Sequence, residues 1–80
     1  MTVVMKDVYS SNIDSVGFDE KINELYVRFK GAKSVYIYSE VPAVTYSNLM
    51  AADSLGSWLH NNIKNKFKFR KVDDAPTENF

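Results

Sequence analysis

The sequence has no cysteine, one histidine, two prolines and three glycines, and its formal net charge at pH 7 is zero. Without cysteine, neither a disulfide nor a thiolate metal site can form. His60 has no further ligands at metal-binding spacing, so no metal centre is expected. Gly17 and Gly56 are isolated and do not make a phosphate loop. Ser10, Ser11 and Ser15 have no base arranged beside them in the sequence and no elbow motif, so hydrolase chemistry is not expected. The apolar runs are only a few residues long, too short to span a bilayer. The start, "MTVVMKDV", lacks the charged beginning and apolar stretch of a signal peptide. These absences point to a soluble, cytoplasmic, non-catalytic protein that needs no cofactor. Neutrality also argues against indiscriminate polyanion binding.

What is present is aromatic. Five Tyr, five Phe and Trp58 stand among 80 residues. A chain of this length makes one domain with a marginal core, so most large apolar side chains are needed inside it. The charge is unevenly placed. Residues 60–72 hold Lys64, Lys66, Lys68, Arg70 and Lys71 and no acid, while residues 73–80 hold Asp73, Asp74 and Glu78 and no base. Such asymmetry is more informative than the total.

Periodicity divides the chain. Ile13, Val16 and Phe18 follow a near two-residue beat, and Leu25, Val27 and Phe29 alternate strictly. "SVYIYS", residues 34–39, is rich in β-branched and aromatic residues. The short links, one marked by Gly31, make these three segments an antiparallel meander. The period changes at Pro42, which suits the start of a helix. Tyr46, Leu49 and Met50 follow at helical spacing. Asp53 and Ser54 are good N-cap residues for a second helix. Its stripe is Leu55, Leu59 and Ile63, with Trp58 alongside and expected to be at least half buried. Asn65 tolerates the left-handed conformation that ends many helices. "KFKFRKV" then resumes the two-residue beat as an extended strap or short strand. Residues 1–72 read as one α+β domain, and residues 73–80 as a disordered acidic tail. The expected core is Ile13, Val16, Phe18, Leu25, Val27, Phe29, Tyr46, Leu49, Leu59, Ile63 and Phe67.

Between residues 10 and 72 the chain resembles the KTSC domain family. The likeness is carried by "SSNIDSVGFD", "LYVRF", "SVYIY", "VPAVTYSNLMAADSLGSWL" and "NIKNKFKFRKV". Two departures are Trp58, where Tyr or Phe is usual, and Asn65, where Gly is common. The family is named for its place at the C-terminus of some lysyl-tRNA synthetases, and it also occurs as small stand-alone bacterial and phage proteins. The resemblance implies RNA binding and supplies no catalytic motif.

Two surfaces are candidates. In a strand, Lys66, Lys68 and Arg70 share one face and Phe67 and Phe69 the other. With Lys64 and Lys71, the cations can contact phosphate. Alternatively they guard a sheet edge against pairing. The second surface is the sheet face turned away from the helices. Tyr26 and Arg28 point there if Leu25, Val27 and Phe29 point inward. If Tyr36 and Tyr38 join them, the group makes a stacking platform for single-stranded RNA. The same face can instead carry ordinary aromatic pairing, or contact a protein partner or a second copy. RNA binding is the leading expectation, and a protein-interaction module is the alternative.

Overall fold

Side chains alternating every second residue build the centre of the molecule. The computed structural model describes residues 3–73 and the backbone of residues 77–79. In chain order the elements are β1 (Val3–Asp7), β2 (Ile13–Asp19), β3 (Glu24–Phe29), β4 (Val35–Tyr38), α1 (Ala43–Met50), α2 (Leu55–Asn62), β5 (Phe69–Val72) and β6 (Thr77–Asn79). The sheet order is β5-β4-β3-β2-β1-β6. Strands β1 to β5 pair antiparallel, and β6 lies parallel to β1. The α+β class is as the periodicity predicts, but the meander of three strands is extended on both sides.

Local chemistry explains the meander. Asn23 closes the β2–β3 turn at φ 54°, and Gly31 sits in the β3–β4 turn at φ 78°. Both are residue types that tolerate positive φ. In β2 the register slips, because Ile13 faces Phe29 while Ser15 faces Arg28. The extra residue, Asp14, is exposed. This bulge puts Ile13 and Val16, three positions apart, in the same core cluster. Ser10 organises the entry to β2, its hydroxyl accepting from the N–H groups of Asn12 and Ile13 at 3.3 and 3.2 Å.

The helices follow from their caps. Pro42 precedes α1, and its carbonyl accepts from Thr45 and Tyr46. The Ser54 hydroxyl caps α2 by accepting from the Ser57 N–H at 3.3 Å. The two helices cover one sheet face. Ile13, Val16, Leu25, Val27, Tyr38, Val41, Leu49, Leu59 and Ile63 form the buried cluster there. Phe18, Phe29, Tyr46, Trp58 and Phe67 pack partly buried around it. Every expected core residue lies in this cluster or against it.

The opposite face holds a second core made by Val3, Met5, Tyr26, Val35 and Ile37, with Val72 against it. Its cover comes from β1. This strand pairs with β2 through Lys6 and Asp7. Its first half, Val3 to Met5, pairs with β6 and passes over Gly17. A Cβ on Gly17 would lie 2.7 Å from Val3 Cγ1 and 2.8 Å from the Val4 carbonyl oxygen. Only glycine admits so close a backbone. Sequence reading missed β1 because "VVMKD" offers just two alternating apolar residues, Val3 and Met5. The tail differs from expectation too. Asp73 accepts a hydrogen bond from Ser34 at 2.6 Å, and Thr77–Asn79 form a strand rather than a disordered end. Residues 74–76 and Phe80, also assigned to that tail, lie outside the described residues.

Gly17→Ala is expected to cost about 1–3 kcal/mol, the usual penalty of overpacking, because the Val4 backbone must move. Urea denaturation measures it. An unchanged midpoint would show that β1 yields freely.

Candidate nucleic-acid interface

Strand β4 decides which side chains meet. Tyr38 faces Leu25 and Tyr36 faces Val27, so both tyrosines point to the helix side. Ile37 faces Tyr26 and Val35 faces Arg28 on the other side. The platform of Tyr26, Tyr36, Tyr38 and Arg28 is therefore not assembled. Tyr26 and Arg28 lie on one face, and Tyr36 and Tyr38 on the other. Tyr26 is 4% exposed and Tyr38 is 2% exposed. Burial raises both phenol pKa values above the ordinary one, and the Glu24 carboxylate raises Tyr26 further.

The basic segment is divided as well. The last turn of α2 runs on through Lys64 to Phe67, with the N–H groups of Lys66 and Phe67 both donating to Ile63. Asn65 turns the chain at φ 74°. Lys66 therefore lies in a turn, and strand alternation begins only at Phe69. On β5, Phe69 faces Tyr38 and Lys71 faces Tyr36, while Arg70 faces Ile37 on the far side. Lys66, Lys68 and Arg70 do not form one charged face. Arg70 is also engaged. Its guanidinium donates twice to Glu24, at 2.8 and 3.1 Å. This bond raises the arginine's pKa and keeps it charged. Phe67 is partly buried as expected, but Phe69 is 55% exposed.

The displaced aromatics come together elsewhere. Tyr36 meets Phe29 edge-on at 5.4 Å and Phe69 at 5.5 Å between ring centroids. Tyr38 lies 5.7 Å from Phe69. These four rings, with Ala32, Lys64 and Asn65, line a hollow of about 460 Å³. Among the described residues its lining has a lysine and no acid. Two other hollows mix charge: one holds Lys6 and Lys21 with Asp19 and Glu20, the other Lys30 with Asp53. The aromatic hollow is thus the strongest candidate for an anionic, planar ligand. Among the candidate residues it uses Tyr36, Tyr38 and Lys64, with Lys71 opposite Tyr36 on the same face. The sequence reading missed Phe29 and Phe69. The signal for Phe69 was its place on an edge strand, where an aromatic is covered on one side only.

A model of the KTSC domain matches residues 9–67. The chain belongs to the KTSC domain family. The match takes in β2 through α2 and stops before β5. A protein of Tsukamurella paurometabola is 36% identical over 64 residues, covering 80% of this chain and 94% of its own. The crystal structure of a KTSC domain protein from Yersinia pestis superposes with a TM-score of 0.79 at 35% identity. That likeness covers 85% of this chain and 94% of the other. In this KTSC domain, Phe69 and Lys71 therefore lie beyond the span matched by the family model, and the rest of the hollow lies within it. No described helix is long and apolar enough to cross a membrane.

The Glu24–Arg70 pair ties β5 to β3 across β4. Because Arg70 is half exposed, Glu24→Gln is expected to lower stability by less than about 1 kcal/mol. The loss should shrink in high salt, as urea midpoints at two salt concentrations would show. A loss of several kcal/mol, insensitive to salt, would mean that the pair behaves as a buried one.

Proposed function

We propose that this KTSC domain is a non-catalytic, cytoplasmic module that binds single-stranded RNA through the aromatic hollow. The observation that carries the reading is Phe69, half exposed and in contact with Tyr36 and Tyr38, in a hollow whose only charged lining residue, among the described residues, is Lys64. A base can lie on the exposed ring while the lysines meet its flanking phosphates. Lys64 and Lys71 are the proposed phosphate contacts, with Lys66 and Lys68 near by in the chain. Arg70 is left out because Glu24 already holds it. Zero net charge suits a local contact of this kind better than coating of a polyanion.

A second reading is a protein partner or second copy paired along β5. The sheet order supports it, since β5 is a terminal strand of the sheet among the described residues.

Titration of labelled single-stranded RNA at several salt concentrations separates them. Two phosphate contacts predict a log–log salt slope near −1.4, at about −0.7 per contact. Lys64→Gln with Lys71→Gln should flatten that slope. Phe69→Ala should weaken binding by roughly 1–3 kcal/mol, the usual value of one stacked base, with little effect on folding because the ring is half exposed. If the parent binds nothing at the lowest salt, the RNA reading fails and the β5 edge becomes the site.

A further inference from the structure

We propose that Tyr9 and Lys30 form a second subsite, where an RNA strand held in the aromatic hollow stacks another base and sets down another phosphate. This rests on the RNA reading above and gives the ligand a length. Among the described residues two aromatic side chains are exposed, Phe69 at 55% and Tyr9 at 92%. A lone exposed ring is ordinary. What distinguishes Tyr9 is its place, in a hollow that it lines together with Lys30, Ser10 and Ser11.

Two elements join this hollow to the one around Phe69. Leu55, which opens α2, lines the Tyr9 hollow, and Lys64, in the turn that continues α2, lines the aromatic one. The β3–β4 turn bounds both as well, with Lys30 in the first and its neighbours Phe29 and Ala32 in the second. That turn is closed by the Ala32 N–H, which donates to the Phe29 carbonyl at 3.1 Å. The two hollows are therefore neighbours between α2 and the β3–β4 turn. A helical rise of about 1.5 Å per residue separates Leu55 from Lys64 by about 14 Å. A stacked strand covers that distance with about four nucleotides, at about 3.4 Å each.

The Tyr9 ring stands on a fixed backbone. The Val8 N–H donates to the Asp14 carbonyl at 3.2 Å, and the Ser10 hydroxyl accepts from the N–H groups of Asn12 and Ile13. Stacking a base there orders only one side chain with two torsions, which keeps the entropic cost low. A phenol ring offers its face to any base, as sequence-tolerant single-strand sites do. Lys30 is exposed and follows Phe29 directly, so a cation stands on the path from one hollow to the other. Asp53, on the α2 side of the Tyr9 hollow, repels phosphate and leaves the Lys30 side to the strand's backbone.

The test titrates labelled oligouridylates of two, four, six and eight nucleotides. The dinucleotide fills the aromatic hollow alone, and the longer ligands reach Tyr9. The parent should bind the octanucleotide on the order of tenfold to a hundredfold more tightly than the dinucleotide, the range for one further stacked base. Its log–log salt slope should be steeper by about 0.7, the value of one further phosphate contact. Tyr9→Ala should remove the gain in affinity and leave dinucleotide binding within about twofold. Lys30→Gln should remove the added slope. Neither change should move the melting temperature, since both side chains are exposed. Equal parent affinity at all lengths would overturn the second subsite. So would a Tyr9→Ala protein that keeps the full gain, or one that loses affinity equally at every length. Each of these results leaves the RNA reading standing. No binding at any length overturns both.

Discussion

The direction in which β4 points its side chains governs the rest of the molecule. Its four residues, Val35 to Tyr38, alternate strictly between two buried environments. Tyr36 and Tyr38 go to the helix side, and Val35 and Ile37 go to the side covered by β1. A slip of one residue would exchange them, putting two phenol hydroxyls into a layer roofed by Val3 and Met5. Pairing on both sides opposes such a slip. β3 opposes Tyr38 with Leu25, and β5 opposes it with Phe69. The Glu24–Arg70 contact fastens the same three strands from the far face.

That alternation also creates the hollow. The helix-side core is densest over β2, β3 and the end of β4. Cover thins towards β5, so Tyr36 is only partly buried and Phe69 is half exposed. The aromatics at this margin complete one another edge-on or tilted, as quadrupolar rings prefer. One surface thus provides stacking area and nearby positive charge in a chain with no net charge.

Much of this architecture was legible in the sequence. The beat of Leu25, Val27 and Phe29, the change of period at Pro42 and the Leu55–Leu59–Ile63 stripe are each local signals, and each corresponds to an observed element. Asn65 announced the end of its helix through the one conformation it tolerates well. Less was legible wherever the decision is non-local. Tyr36 and Val35 are equally plausible inward residues until the cover of both faces is known. The second core depends on β1 folding back over Gly17, and nothing within "VVMKD" encodes that contact. In "KFKFRKV", alternation was read across the whole stretch, although the helix-end turn consumes Lys66 and Phe67. The partner of Arg70 lies 46 residues away at Glu24, a separation that pattern reading cannot bridge.

The central claim is that the β4 alternation builds a ligand site at the β4–β5 margin of the helix side. The most direct measurement is an NMR titration of the labelled protein with short single-stranded RNA, following backbone amides and aromatic rings. The account predicts that the largest shifts fall on the Phe69 and Tyr36 rings and on the amides of Lys64, Asn65 and Lys71. Val35, Ile37 and Tyr26, on the far face, should move little. Shifts centred on Phe18 and Tyr46, or on the far face, would contradict it, as would a spectrum that does not respond.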